Sequence, residues 1–382
     1  KLEAFFSVWE FKARHHLTAS DAQSLTVGEL LALAAPRDRE AFEQTPLTYT
    51  ETWGASDLRT EIAATYDSLD AAHILGFAGA EEGLYTAMHA LLGPADHAIV
   101  LTPNYQSAES IPLSLCAVTG VPLDPDDHWS LDLDRLRAAL RPNTKLVSVN
   151  FPHNPTGKIL EPEKFSALVG LCRERGLWLF SDEVYRLIEH APARRLPQAA
   201  DLYERGISLN VLSKAYGLPG LRVGWIACRD QALLQKMERI KHYLSICNSA
   251  PSERLAVIAL RAREKILRRN RDLATRNLAA LDQFFGEFPA LFDWRRPDGG
   301  VVAYPRYLGA DGVEEFTRRL VEESGVLLLP ASIYQSALGP TPTDHFRIGF
   351  VRANLDAGLA ALRRHLQTTR DRTVGGALRP ED

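Results

Sequence analysis

The chain has 382 residues, 46% hydrophobic and 24% charged, a composition typical of a globular protein long enough for two or three domains. Its 44 basic and 48 acidic residues are interspersed and leave a formal charge of −4, which disfavours nucleic acid as a main partner. No apolar run approaches the roughly 18–20 residues of a membrane span, and the opening KLEAFFSVWEFKARHH does not resemble a signal peptide, so we expect a cytoplasmic protein.

The first forty residues predict an N-terminal arm. One isolated helix, expected to carry the adjacent His15 and His16 on different faces, precedes the phrase SDAQSLTVGELLAL. We assign residues 1–43 to this arm and expect it to pack on the smaller of two domains.

Between residues 60 and 230, helical stretches alternate with short runs rich in β-branched residues. Buried strands are predicted at 97–101, 145–150, 177–181, 207–213 and 222–228. Helical patterns such as EPEKFSALVGLCRERG, which stops at Gly176, lie between most of them. This alternation predicts a mostly parallel α/β sheet with helices on both faces. The last two strands have only a short link and are predicted to be antiparallel neighbours.

The pattern of predicted helices and strands changes after about residue 230. A long helical tract, broken near residues 248–251, precedes extended segments (VVAYPRY, VLLLPA, HFRIGF) interleaved with helices near 312–324 and 354–367. This pattern predicts a smaller α+β domain. We therefore expect a large domain at 44–245, a small domain at 246–370 joined by the arm, and a loose tail at 371–382.

The cysteines and histidines do not predict a metal site. The cysteines are far apart and lie among apolar neighbours, which is typical of buried reduced thiols: Cys116, Cys172, Cys228 and Cys247. The histidines lack metal-ligand spacing, and the His-Glu-x-x-His motif is absent. We expect no bound metal.

A lysine at a predicted strand end is the first chemical signal. In NVLSKAYGLPGLRVGW, Ser213 and Lys214 are predicted to end a strand, and Arg222 follows eight residues after the lysine. A lysine that faces a cleft can lose its charge through desolvation and become an amine nucleophile for an aldehyde. Alone, such a dipeptide is more often a solvated turn.

Other polar residues are predicted to leave strands at the same edge. Asn154 follows the strand KLVSVN, Asp182 ends the strand LWLFS, and Tyr185 lies three residues beyond it. Ligands collect at the carboxyl ends of the strands in open α/β sheets. These positions could therefore converge on one site.

A helix start supplies a further signal. Gly79 and Ala80 precede the helix EEGLYTAMHALL. Small residues at a helix start let backbone N–H groups approach an anion, and the helix dipole favours it. An anion near Gly79, Ser213 and Arg222 would be a phosphate.

Seven motifs together resemble the class I/II aminotransferases, pyridoxal-phosphate enzymes of fold type I. They are YTETWGASDLR, GAEEGL, PNY, NPTG, SDEVY, SKAYGLPGLRVGW and RIGF, in the family's order from about residue 44 to residue 367. The resemblance implies a large cofactor-binding domain, with a mostly parallel seven-stranded sheet between helices, and a smaller α+β domain. It also implies pyridoxal 5'-phosphate as cofactor.

The resemblance implies a catalytic role for several residues. Lys214 corresponds to the lysine that binds the cofactor aldehyde as an aldimine. Asp182 corresponds to the carboxylate that keeps the pyridine nitrogen protonated, so that the ring can accept electrons from a substrate carbanion. Asn154 and Tyr185 would hydrogen-bond the ring's phenolic oxygen, and Tyr105 in TPNY would stack on the ring.

The remaining matched residues would bind phosphate and substrate. The expected phosphate ligands are Gly79, Ala80, Ser213 and Arg222. Tyr49 matches a tyrosine that reaches the phosphate of the neighbouring subunit, which implies a homodimer. Arg347 would bind the substrate's α-carboxylate through two parallel hydrogen bonds, and Asn154 is also expected to bind the substrate.

Ordinary structural roles are the alternatives for these residues. Tyr105 could be a core aromatic, Asn154 a turn residue before a proline, and Tyr185 a packing residue of its own helix. Arg347 alternates with apolar neighbours on a predicted strand, where a surface arginine is the default.

Departures from the family pattern bear mainly on the substrate. Val211 stands where the family often has Ser or Thr, and the usual N-terminal Gly-x-Pro phrase is replaced by SDAQSLTVGELLAL. That arm, with FPHNPTG and SKAYGLPGLRVGW, is similar to the branch containing capreomycidine synthase, which dehydrates and cyclises a hydroxylated arginine.

Three functions remain open. The first is an aminotransferase that exchanges an amino group between an L-amino acid and a 2-oxo acid. The second is a lyase or cyclase that acts on a modified amino acid. The third is a non-catalytic cofactor-binding sensor. The sensor is disfavoured because the forty residues before the fold cannot house a DNA-binding module. A Rossmann nucleotide-binding protein is disfavoured because GFAGAE lacks the Gly-x-Gly-x-x-Gly order.

Overall fold

The computed structural model describes residues 1–376 of the chain. Its α-helices are α1 (Leu2–Trp9), α2 (Val27–Leu31), α3 (Pro36–Glu43), α4 (Ser56–Ala63), α5 (Ala80–Leu91), α6 (Ser107–Leu113), α7 (Leu133–Ala138), α8 (Pro162–Arg175), α9 (Ala199–Leu202), α10 (Gln231–Lys241), α11 (Ala250–Arg261), α12 (Arg263–Glu287), α13 (Val313–Ser324) and α14 (Leu355–Gly376). Its strands are β1 (His15–His16), β2 (Ile74–Phe77), β3 (His97–Thr102), β4 (Ala117–Pro122), β5 (Thr144–Asn150), β6 (Trp178–Asp182), β7 (Gly206–Val211), β8 (Gly224–Cys228), β9 (Phe292–Asp293), β10 (Val302–Ala303), β11 (Arg306–Tyr307), β12 (Val326–Leu327), β13 (Leu329–Pro330) and β14 (Phe346–Gly349).

A seven-stranded sheet forms the centre of the molecule, in the order β2-β8-β7-β6-β5-β3-β4. Strands β4, β3, β5, β6 and β7 run parallel, whereas β8 is antiparallel to both β7 and β2. The predicted mostly parallel sheet and the predicted antiparallel pair are therefore confirmed. The edge strands β2 and β4 were not among the strands predicted from local pattern.

Apolar side chains cover both faces of this sheet, because successive side chains of a strand point to opposite faces. In β5, Leu146 joins a cluster with Leu84 and Met88 of α5, whereas Val147 joins a second cluster with Phe165 of α8. The central strands are thus held between helices on both sides, and their carboxyl ends are fixed at one edge.

The strand β7 ends at Val211, so Ser213 and Lys214 follow the strand instead of ending it as predicted. The amide of Leu212 still donates to the carbonyl of Val223 at 3.0 Å, which extends the pairing with the next strand by one residue. The chain then turns away, and Lys214 is placed at the carboxyl edge of the sheet.

The second half of the chain adds helices and short strands. The strands β10, β14 and β13 form an antiparallel sheet, and α12, α13 and α14 accompany it. The predicted break in the helical tract is confirmed: α10 ends at Lys241, and α11 begins at Ala250 with a proline in its first turn. Among residues 1–376, no helix is long and apolar enough to cross a membrane.

The arm is attached through a two-residue parallel strand. His15 pairs with Val326 and His16 with Leu327, so the predicted helix at these histidines is wrong. The carbonyl of Gly325 accepts hydrogen bonds from the amides of Arg14 and His15, both at 2.9 Å. Pairing with a distant strand outweighs the local pattern here. At the other end, α14 continues to Gly376, and the rest of the predicted tail, 377–382, lies outside the described residues.

Candidate active site

A cavity of about 250 Å³ lies at the carboxyl ends of the central strands, between the sheet and the arm. The last residues of β5 and β6 and the segment after β7 form its floor, which follows from their adjacency in the sheet. Eight of the predicted site residues line it: Ala80, Tyr105, Asn154, Asp182, Tyr185, Ser213, Lys214 and Arg222. The structure thus brings together positions that are spread over more than a third of the chain.

The amine of Lys214 lies inside this cavity and donates a hydrogen bond to Oγ of Ser20 at 3.0 Å. Burial lowers the pKa of this amine below its ordinary value, and the positive charges of Arg347 and Arg222 lower it further. The carboxylates of Asp21 and, to a smaller extent, Asp182 act in the opposite direction. A lower pKa increases the fraction of the lysine that is neutral, and the neutral amine is the nucleophilic form.

Asp182 faces Lys214 across the cavity. Burial raises the pKa of its carboxyl group from 3.8 to about 7, against the opposing effects of the Val184 amide and the Lys214 charge. The amide of Val184 donates to Oδ1 at 3.1 Å and orients the carboxyl group. A carboxylate in such surroundings binds a cationic group well, because the cation compensates a charge that is costly to bury.

Arg347 is buried, with 1% of its surface exposed, so a surface arginine is excluded at this position. Its Nη1 donates to Oδ1 of Asn154 at 3.2 Å, and its Nη2 donates to the carbonyl of Thr18 at 2.8 Å. Its Nε is buried and has no hydrogen-bond partner among the described residues. A buried guanidinium with a free donor is suited to an anionic ligand such as a carboxylate.

Tyr185 and Asn154 are fixed by their neighbours. The Tyr185 hydroxyl donates to the carbonyl of Ser20 at 3.1 Å, and burial raises the pKa of this phenol. The backbone N–H of Asn154 donates to Oδ1 of Asn150 at 2.8 Å, and the side-chain Oδ1 of Asn154 accepts from Nη1 of Arg347. Both side chains border the cavity and are held by hydrogen bonds to other elements of the fold.

Several potential hydrogen-bond donors meet where α5 begins. Gly79 precedes the helix with a φ of +100°, and a Cβ there would lie 2.6 Å from Nη2 of Arg222. Arg222 itself adopts a left-handed conformation, with a φ of 53°. Strained backbone conformations of this kind cluster at ligand sites. The helix N-terminus, the guanidinium and Ser213 together offer donors to one phosphate-sized anion.

Tyr105 and Tyr49 differ in their placement. Tyr105 forms part of the cavity wall, as predicted for a residue that stacks on a ligand ring. Tyr49 does not line the cavity, and 83% of its surface is exposed. It is the predicted cofactor residue that a single chain does not bring to the site.

The sequence prediction missed several cavity residues. Ser20 comes from the arm, where it begins the phrase SDAQSLTVGELLAL but was given no role in the site. Thr18 of the arm was also missed; it contacts Arg347 without lining the cavity. Glu81 lies in the first turn of α5 and was read only as part of a helix; it accepts a hydrogen bond from the Ser107 hydroxyl at 3.0 Å. Burial raises the pKa of Glu81, and the neighbouring carboxylate of Glu3 raises it further. The sequence signal that could have identified Glu81 as a site residue is its pairing with a second acidic side chain, Glu3, in a predicted binding cleft.

Comparisons with known proteins identify the family. The family described as aminotransferase class I and II matches residues 21–362. The chain is 33% identical to capreomycidine synthase of Streptomyces vinaceus, over 94% of this chain and 91% of that protein. It is 30% identical to the arginine–pyruvate transaminase AruH of Pseudomonas aeruginosa, over 79% and 78%.

Solved structures are similar over almost the whole chain. A PLP-dependent aminotransferase from Streptococcus suis is 31% identical, with a TM-score of 0.89, covering 96% of this chain and 97% of that one. The PLP-dependent cyclase OrfR is 27% identical, with a TM-score of 0.87 and the same coverage. The seven-stranded fold is therefore that of fold type I pyridoxal-phosphate enzymes.

Proposed function

Because the chain belongs to the aminotransferase class I and II family, we propose that it is an aminotransferase that moves the amino group of an L-amino acid to a 2-oxo acid. The observation that carries the proposal is the placement of a desolvated lysine, Lys214, opposite Asp182, with the buried Arg347 nearby. These groups supply a nucleophilic amine, a partner for a cationic ring and a clamp for a carboxylate.

The cofactor is pyridoxal 5'-phosphate, and the cavity fits it. The donors at Gly79, Ser213 and Arg222 suit the phosphate, and the buried carboxyl of Asp182 suits a protonated pyridine nitrogen. Tyr105 would cover one face of the ring. When bound, the cofactor supplies an aldehyde for the amine and an electron sink for charge that develops at the substrate's α-carbon.

Each residue around the cofactor would then have a separate role in binding or proton transfer. Arg347 would bind the α-carboxylate through Nε and the edge of the guanidinium, and Asn154 would hold the arginine in place. Lys214, once free of the cofactor, would move a proton at the α-carbon of the substrate, because a neutral amine can act as a general base. Tyr185 would donate to the ring's phenolic oxygen after leaving the Ser20 carbonyl.

A substrate with a cationic side chain is supported by the acidic residues of the cavity. Glu3 of α1 and Glu81 of α5 both line it; burial raises the pKa of Glu81, and electrostatic repulsion from Glu3 raises it further. A guanidinium between two carboxylates would relieve that repulsion. The arginine in the name of the AruH transaminase agrees with such a substrate.

A lyase or cyclase that acts on a modified amino acid is the second candidate, and the comparisons favour it specifically. Capreomycidine synthase covers more of this chain than the transaminase does, and one of the similar structures is a cyclase. The carbanion that transamination requires also serves elimination and cyclisation. The side chain of the substrate and its orientation in the cavity would decide which bond breaks.

A homodimer with composite sites completes the proposal. Large apolar side chains are exposed in two segments, among them Leu47, Tyr49 and Tyr243. The segments are neighbours: the Thr50 hydroxyl donates to the carbonyl of Asn248 at 3.2 Å. An exposed apolar surface formed by Leu47, Tyr49 and Tyr243 is suited to a second copy, whose phosphate site Tyr49 would reach.

The experiment that tests the proposal is a substrate screen. Cofactor-loaded protein is incubated with amino acids, including arginine and hydroxylated arginine, with and without a 2-oxo acid. A product that requires the 2-oxo acid identifies transfer, and a product or ammonia formed without it identifies the lyase or cyclase. No turnover of any amino acid, with Lys214 unlabelled after borohydride reduction, would exclude both functions.

A further inference from the structure

Ser20 occupies an unusual position for a residue of the N-terminal arm. Its hydroxyl lies 3.0 Å from Nζ of Lys214, although the two residues are 194 positions apart. A hydroxyl oxygen accepts a hydrogen bond and also donates one. It can therefore bind the lysine nitrogen in either protonation state.

The backbone around Ser20 is held rigidly from several directions. The Tyr185 hydroxyl donates to the Ser20 carbonyl at 3.1 Å, and the amide of Ala22 donates to the carbonyl of Lys214 at 3.1 Å. The carbonyl of Thr18 is bound by Arg347. A residue that is fixed in this way can orient its neighbour, because its own geometry is already determined.

Ser20 also separates two spaces. It lines the cavity that contains Lys214, and it lines an outer groove of about 610 Å³ bordered by Glu10, His16 and Asp21. Its hydroxyl is hydrogen-bonded to the buried amine, and the next residue, Asp21, also lines the groove. A proton that leaves Lys214 has a path to the outside through this oxygen.

We propose that Ser20 is a positioning residue for Lys214: its hydroxyl aims the amine into the cavity and exchanges protons between the amine and the outer groove. The inference rests on the proposed role of Lys214 as the cofactor-binding nucleophile. The charge of the hydroxyl is zero, so it orients the amine without stabilising the ammonium form as strongly as a carboxylate would.

Other titratable groups surround the same amine and set the background for any pH dependence. They are Asp21 of the arm, Glu81 of α5, Tyr105 after β3, Asp182 of β6, Tyr185 after it, Arg222 before β8 and Arg347 of β14. The carboxylate of Asp21 forms an ion pair with Arg352 at 2.7 Å and also raises the pKa of the Lys214 amine. The hydroxyl of Ser20 is the direct hydrogen-bond partner of the amine.

The test measures how fast cofactor-free protein captures pyridoxal phosphate at Lys214, over a range of pH. Samples are quenched with borohydride, and the modified Lys214 peptide is quantified by mass spectrometry. Ser20→Ala is expected to lower the capture rate at its alkaline plateau about tenfold, the effect of losing one orienting hydrogen bond. It should also move the inflection to lower pH, because the ammonium form loses a hydrogen-bond acceptor. Ser20→Thr, which keeps the hydroxyl, should restore both values.

The matched control is Ser24→Ala, the same change in the same arm but outside the cavity. Its rate and inflection should equal those of the unmodified protein. A Ser20→Ala rate within twofold of the unmodified protein, with the same inflection, would overturn the inference. If Ser20→Ala does not fold, Ser20→Cys takes its place, because a thiol is a weak acceptor. Failure of the unmodified protein to capture cofactor at Lys214 would refute the proposed function itself.

Discussion

Replacing Asp182 with asparagine is expected to stabilise the cofactor-free protein at alkaline pH. Burial raises the pKa of the carboxyl from 3.8 to about 7, so the native state binds its proton more tightly than the unfolded state does. Between about pH 4 and pH 7, the unfolded chain loses this proton while the native protein keeps it. The free energy of unfolding therefore falls as the pH rises, and the full loss is reached above pH 7.

The size of the effect follows from the two pKa values. The difference between 3.8 and about 7 corresponds to ~4 kcal/mol. Asp182 faces the cavity, and water there reduces the cost to ~2–3 kcal/mol. Asparagine has the same shape, carries no charge and keeps an oxygen for the Val184 amide. Asp182→Asn should therefore gain ~2–3 kcal/mol at pH 8 and ~1 kcal/mol at pH 5.

Urea unfolding of the cofactor-free protein, followed by tryptophan fluorescence at pH 5 and pH 8, measures both values. Asp67→Asn, the same change at an exposed position outside the cavity, is the control, and its effect should be equal at the two pH values. A stability gain for Asp182→Asn that is equal at both pH values, or a loss at pH 8, would refute the reasoning.

Four further outcomes are expected. In the loaded enzyme, Asp182→Asn should retain the cofactor but lower turnover at least ~100-fold, because an amide cannot stabilise the charged ring nitrogen; near-normal turnover would contradict that role. The purified protein should be yellow from bound cofactor, and borohydride reduction should label Lys214. A label on another lysine, found by peptide mapping, would refute the assignment of Lys214 as the cofactor-binding lysine. Arg347→Met should lower kcat/KM ~100-fold for an amino acid, but should not lower it for the corresponding amine without the α-carboxylate. An equal decrease for both substrates would contradict the proposed binding of the α-carboxylate by Arg347. Tyr49→Phe mixed with Lys214→Ala should regain activity in re-formed dimers that neither parent has, whereas an active monomer by light scattering would end the dimer proposal.

The parts of the site that the sequence predicted lie directly after strong local patterns. Asp182 ends a strand whose residues alternate between the two faces of the sheet, and Asn154 and Lys214 follow neighbouring strands. Because the carboxyl ends of parallel strands share one edge, local pattern alone was enough to bring these side chains together. The start of α5 at Gly79 was equally visible, because glycine and a helix pattern stand next to each other.

The parts that were missed depend on contacts between distant segments. Ser20 begins the phrase SDAQSLTVGELLAL, but nothing in that phrase indicates a contact with Lys214, which follows only from where the arm crosses the cavity. His15 and His16 pair with a strand more than 300 residues later, and no periodicity within the arm could show that partner. Tyr49 is exposed in one chain, so its proposed role depends on a second copy that the fold of a single chain does not contain.

The contact between Thr18 and Arg347 has a consequence for the biosynthesis of the protein. The two residues are 329 positions apart. A ribosome adds ~5–20 residues per second, so roughly 15–65 s pass between the synthesis of the arm and that of its arginine partner. Lys214 is synthesised 133 residues before Arg347, so for the last ~7–27 s of this interval the nascent polypeptide contains the lysine without the carboxylate clamp. A chain that terminates before Arg347 would thus contain Lys214 without the group proposed to bind the substrate's carboxylate. Cellular quality control would have to remove such fragments.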